Sequence, residues 1–215
     1  MSATRRGIIG GALAAPLLAC LTPTASGASA NPKLGRVSDA WVDLRWNKHT
    51  QDELDRLGVT VEPVAPATGN QNSGGGRVRF PVRSATGDPS VDDPGRARGT
   101  AVLEGGLVLR NPAGEFRLSD LVSSLEGETV SGEATVNGLV AALQSVFTFT
   151  VGEGRLDAVP VPSGRPMRIQ VVGVPMRLTE ASLEVFEATF GPSNLTTKTV
   201  LGHLTAGGVY TPPEP

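Results

Sequence analysis

The 215-residue chain carries 19 Lys+Arg against 21 Asp+Glu, a formal net charge of −2. That balance excludes a nucleic-acid partner, because neutralising phosphates requires a clustered basic face. A single cysteine also excludes an intramolecular disulfide, so the fold rests on its core alone.

Residues 1–30 read as a signal peptide. Arg5 and Arg6 precede an uncharged run over residues 7–19, shorter than the roughly 20 apolar residues a membrane span needs. Thr4-Arg5-Arg6-Gly7-Ile8-Ile9 has the form of a twin-arginine export signal, and Ala28-Ser29-Ala30 that of a cleavage site. Leu17-Leu18-Ala19-Cys20 competes as a lipobox, in which Cys20 would be acylated and give the chain its one membrane contact. The expectation is release after Ala30, with a secreted product and the lipid anchor as alternative. Removing Arg5 and Arg6 leaves 17 basic against 21 acidic residues, a net −4.

The rest of the chain divides into a flexible leader (31–40), one domain (41–206) and a tail (207–215). Glycine (27) and proline (17) are abundant and aromatics only 4%. Short β-prone runs between Gly/Pro turns predict a mainly β fold, an antiparallel β-sandwich with two short α-helices.

Trp41 and Trp46 open the domain, as ligand-site candidates or as core anchors. Thr50-Gln51-Asp52-Glu53 has the form of a capping box, and Gly58 closes a helix of about two turns. A strand follows at 59–64, then a loop at 66–76 whose residues 71–76 are expected to be mobile. The organising feature spans residues 77–111. Val78, Phe80 and Val82 alternate with Arg77, Arg79 and Arg83, which predicts a strand with one apolar face. A Gly/Asp/Pro loop at 87–95 leads to a second strand with Val102, Leu107 and Leu109 inward, interrupted by a bulge at Gly105-Gly106. Further strands are expected at 115–121, 129–136, 156–161, 167–174 and 198–204. Asn137-Gly138 signals a type I′ hairpin, and residues 139–147 lean toward strand. Thr179 caps a second helix with Leu183, Phe186 and Phe190 on one face, ended by Gly191-Pro192.

Motifs for chemistry are missing. There is no His-Glu-x-x-His, Gly-x-Ser-x-Gly, Ser-x-x-Lys, P-loop or Gly-x-Gly-x-x-Gly. The acids of the 87–95 loop match no EF-hand spacing. No catalytic or metal site is assigned. Glu104, Glu126, Glu128 and Glu133 keep a carboxylate-based hydrolase as an alternative.

Val78-Arg79-Phe80-Pro81-Val82-Arg83-Ser84, residues 99–109 and Phe116-Arg117-Leu118 together resemble the haem-transport-associated (HtaA-type) domain of exported bacterial proteins. The resemblance covers about 80 residues. It implies an antiparallel β-sandwich with small helices, and haem held by a tyrosine supported by a histidine. The family's tyrosine belongs near the Trp-rich start, and residues 41–54 contain none; the chain's one tyrosine is Tyr210.

The leading expectation is an exported, non-enzymatic binding or structural module of the cell envelope or extracellular space, with an unidentified protein or envelope partner and no cofactor. Its alternative is a carrier of haem or another apolar ligand, with His49, His203, Tyr210, Trp41 and Trp46 as candidate ligand-binding residues.

Overall fold

Val, Thr and Leu spaced by polar residues favour pleated backbone. The computed structural model describes residues 34–90, 93–158 and 164–214 and consists mainly of strands. Arg5 and Arg6 of the expected export signal, Ala28, Ala30 and Cys20 lie outside the described residues. The strands are β1 (Gly35–Trp46), β2 (Thr60–Val64), β3 (Thr68–Asn72), β4 (Gly75–Asp88), β5 (Arg98–Leu103), β6 (Gly106–Asn111) and β7 (Gly114–Ser124). They continue as β8 (Thr129–Val136), β9 (Leu139–Ala141), β10 (Phe147–Phe149), β11 (Arg155–Ala158), β12 (Met167–Leu178) and β13 (Gly202–Thr211). Two helices, α1 (Lys48–Arg56) and α2 (Glu180–Phe190), interrupt them.

The mainly β expectation with two helices holds, but the sandwich is replaced by a barrel. Strands β1–β4–β5–β7–β8–β10–β12–β13 pair antiparallel in that order, and β13 returns to β1, an eight-stranded closed ring. The pairing of β7 with β8, from Phe116↔Val136 to Ser124↔Thr129, closes the ring; the short strands β2, β3, β9 and β11 each pair on one side only. In-out alternation is identical in the two architectures, so the pattern could not choose between them. Strand twist and eight-strand closure leave an interior that side chains can fill.

Val78 and Phe80 point inward as expected and are buried, with Val82 half-buried. Val102 does not; Leu103 and Ala101 take the inward positions. The β4–β5 register shifts between Val82 and Ser84, which changes the phase of the alternation. Gly105 divides β5 from β6, and both run along β7. Its φ of +87° suits glycine, and a Cβ there would stand 2.4 Å from the Val64 carbonyl oxygen. Asn137 and Gly138 both have positive φ in the β8–β9 turn, as the type I′ reading requires.

The leader and tail are corrected. Residues 35–40 and 207–211 are the outer halves of β1 and β13 and pair with each other, Val37 opposite Tyr210. A bulge at Asp39 (φ +49°) breaks the alternation of β1, and three glycines thin that of β13. The last strand begins at Gly202 rather than 198, because Thr196 and Thr199 bond each other in a turn. The loop expected to be mobile is instead the β3–β4 hairpin, its turn closed by the Gly74 amide donating to Asn72 Oδ1.

Helix α1 starts one turn earlier than the capping box suggested. Asn47 is its cap, accepting from the Thr50 amide, while the Thr50 hydroxyl donates to the buried Leu201 carbonyl. Thr179 caps α2 as expected, accepting from Ser182 N. Phe186 and Phe190 stack edge to face at 5.1 Å and join the same core as Leu54 of α1.

Glu53 ties α1 to the chain beyond α2. Its carboxylate accepts from Arg56 and from the backbone and side-chain nitrogens of Asn194. These bonds, Arg56 foremost, hold its carboxyl at about 2 against an ordinary 4.5. A carboxyl depressed in the folded state stabilises the protein above its unfolded pKa, and that contribution is lost as pH falls through the folded value. Glu53→Gln is therefore expected to lose up to about 3 kcal/mol at pH 7. The difference from wild type should shrink between pH 4.5 and 2. Urea titrations across that range check it, and a constant gap would refute the assignment.

Candidate functional site

Small side chains on the inner wall leave the barrel partly empty. Ala85 and Ala101 are direct partners across β4 and β5, and Ala206 of β13 pairs with Val42 of β1. All three line a cavity of about 210 Å³. Its walls are aliphatic and aromatic: Leu44, Phe80, Leu103, Phe149, Val171 and Met176 among others. Towards the helices the interior is filled. Trp46 lies across Gly76, where a Cβ would meet its ring at under 2 Å, and its Nε1 donates to Gln51 Oε1 at 2.7 Å.

Polar atoms reach the cavity at the opposite end, where β4 gives way to β5. Asp88 and Arg98 face each other across that pair. Tyr210 stands beside them, buried, its ring against Gly35. No buried side-chain polar atom among the described residues lacks a partner, so the Tyr210 hydroxyl, with no hydrogen bond to another described residue, keeps contact with solvent at the cavity mouth. Burial, with a smaller push from the Asp88 carboxylate, raises the phenol above its ordinary pKa. It is therefore a neutral hydrogen-bonding group at neutral pH.

The candidate residues are dispersed. Tyr210 faces the cavity, and Trp46 plugs the far end. His49 is exposed on α1. His203 is exposed on the outer face of β13, seven positions from Tyr210, about 23 Å along the strand and on the other face. Trp41 borders both the cavity and the outer groove, with the Arg79 guanidinium carbon 4.0 Å from its ring centroid. No two of His49, His203 and Tyr210 meet. Sequence reasoning placed Asp88 in a solvated loop and missed Arg98 and the inward alanines. Alanine at inner positions of three strands was a usable signal, but only once register was known.

The carboxylates considered for hydrolysis stand apart. Glu104 pairs with Arg83, Glu128 accepts from the Val151 amide, and Glu126 and Glu133 are exposed. Among the described residues no three His, Cys, Asp or Glu side chains converge to hold a metal ion.

No family model matches the chain, and no curated protein does. Solved structures do. The C-terminal domain of HtaA from Corynebacterium glutamicum matches at 12% identity and a TM-score of 0.49, over 82% of this chain and 99% of that one. The chain weakly resembles the HtaA-type domain. The haem-binding protein HtaB from the same organism matches at 12% identity and a TM-score of 0.47, over 84% of this chain and 95% of its own.

Proposed function

We propose that the barrel is a non-enzymatic carrier that encloses a small, largely apolar ligand and holds its single polar group with Tyr210. The observation that carries this reading is the apolar cavity of about 210 Å³ with Tyr210, Asp88 and Arg98 at its one polar end. Apolar walls with one or two placed polar groups are the general form of a small-molecule site. The twin-arginine pattern read in residues 1–30 supports a place of action outside the cytoplasm, which mass spectrometry of the mature N-terminus would check.

HtaB is described as haem-binding, and the residues here do not fit that group. The cavity falls below the roughly 300–1,000 Å³ of pockets for drug-sized ligands, and a porphyrin is larger than many of these. Neither histidine stands near Tyr210 to assist. The helix at the Trp-rich start, α1, carries no tyrosine.

The test is displacement of an environment-sensitive anilinonaphthalene dye by medium-chain fatty acids, isoprenoid alcohols and the matching hydrocarbons. Binding of the alcohol or acid, with a preference over hydrocarbon that disappears in Tyr210→Phe, is expected. Failure of every apolar compound to compete would overturn the carrier. A stoichiometric haemin complex whose Soret band is lost in Tyr210→Phe would replace the small ligand with haem.

A further inference from the structure

We propose that the outer surface of β4, β1 and β13 is a second, separate binding site, for an anion bearing phosphate or carboxylate groups. Side chains that alternate out of the barrel wall place three rows here. Arg77, Arg45 and His203 are cross-strand neighbours in one row, and Arg79, Asp43 and Thr205 in the next. Trp41 forms the third, opposite Gly207. Like charges placed directly opposite each other destabilise a sheet. This face keeps Arg45 between Arg77 and His203 in a chain whose net charge is −2.

The acid in these rows relieves only Arg77. Asp43 is buried and its carboxylate is engaged by Arg77 through both oxygens. Arg45 and Arg79 form no ion pair with any described residue. Arg79 is nevertheless held in place, stacked 4.0 Å over the Trp41 ring. That ring can lie along the sheet because Gly207 has no side chain; a Cβ there would stand 3.1 Å from it. A guanidinium already stacked loses little freedom on binding, and its N–H edges remain free for the forked geometry of an oxyanion. The β12 bulge at Gly173 borders the surface, leaving an open groove of about 560 Å³ into which Arg45, Arg79 and His203 project. A structural role would favour neutralising partners for these arginines; an oxyanion supplies them.

Calorimetric titration at low ionic strength with tripolyphosphate and, separately, citrate tests the site and tells phosphate from carboxylate sources. At least one anion is expected to bind. Arg79→Gln and Arg45→Gln should each weaken it about tenfold, as loss of a charge-assisted hydrogen bond does. Arg117→Gln on β7 and Tyr210→Phe should leave it unchanged. Far-ultraviolet circular dichroism of each variant checks that the barrel is intact. Absence of binding by both anions would overturn the proposal, as would equal weakening by Arg117→Gln, which would mean diffuse attraction to surface charge.

Discussion

Phe116→Ala should remove about 3–5 kcal/mol of stability, the usual cost of deleting a buried ring and leaving the space behind. Phe116 is 2% exposed on β7, between Leu109 of β6 and Val136 of β8. β7 is the strand on which closure depends, since it pairs with β5 and β6 on one side and β8 on the other. Against a total of roughly 5–15 kcal/mol the loss is severe. Urea denaturation with matched m-values measures it. Val140→Ala, at a residue 73% exposed, should by contrast stay within about 0.5 kcal/mol. A Phe116→Ala loss below about 1 kcal/mol would mean that this part of the barrel is not packed as described.

Ala101→Phe should abolish ligand-linked stabilisation. Ala101 lies on the inner wall opposite Ala85, so a phenyl group added there occupies the space assigned to ligand. Wild-type protein at a ligand concentration one hundred times Kd gains about 2.7 kcal/mol, seen as a raised Tm. The variant should show no rise with the same ligand. Overpacking carries its own cost, about 1–3 kcal/mol. The comparison is therefore between each protein with and without ligand, and Ala85→Val serves as a gentler block. An undiminished Tm rise in both variants would locate the ligand elsewhere and remove the cavity from the account.

The two proposed sites differed in how far the sequence displayed them. Arg77, Arg79 and Arg83 on the outward side of a strand were evident from period-two alternation, and so was the aromatic content of β1. That Arg45 and His203 stand beside them was not, because Arg45 and His203 lie 158 positions apart in sequence and meet only as cross-strand partners. Tyr210 looked like a tail residue because glycines around it dilute the apolar pattern. Its inward direction follows from pairing with Val37 and Met167.

What the sequence determined by itself was local: a β-rich chain, the Asn137-Gly138 turn, the second helix with its Thr179 cap, and inward Val78 and Phe80. These depend on backbone propensity, turn chemistry and alternation, all of which act over a few residues. Tertiary structure decided the rest. Whether the strands form two sheets or one ring depends on β7 meeting β8 and β13 returning to β1, pairings that alternation does not specify. The cavity depends on the same closure, because alanines leave a void only when strands from distant parts of the chain bring them to one level.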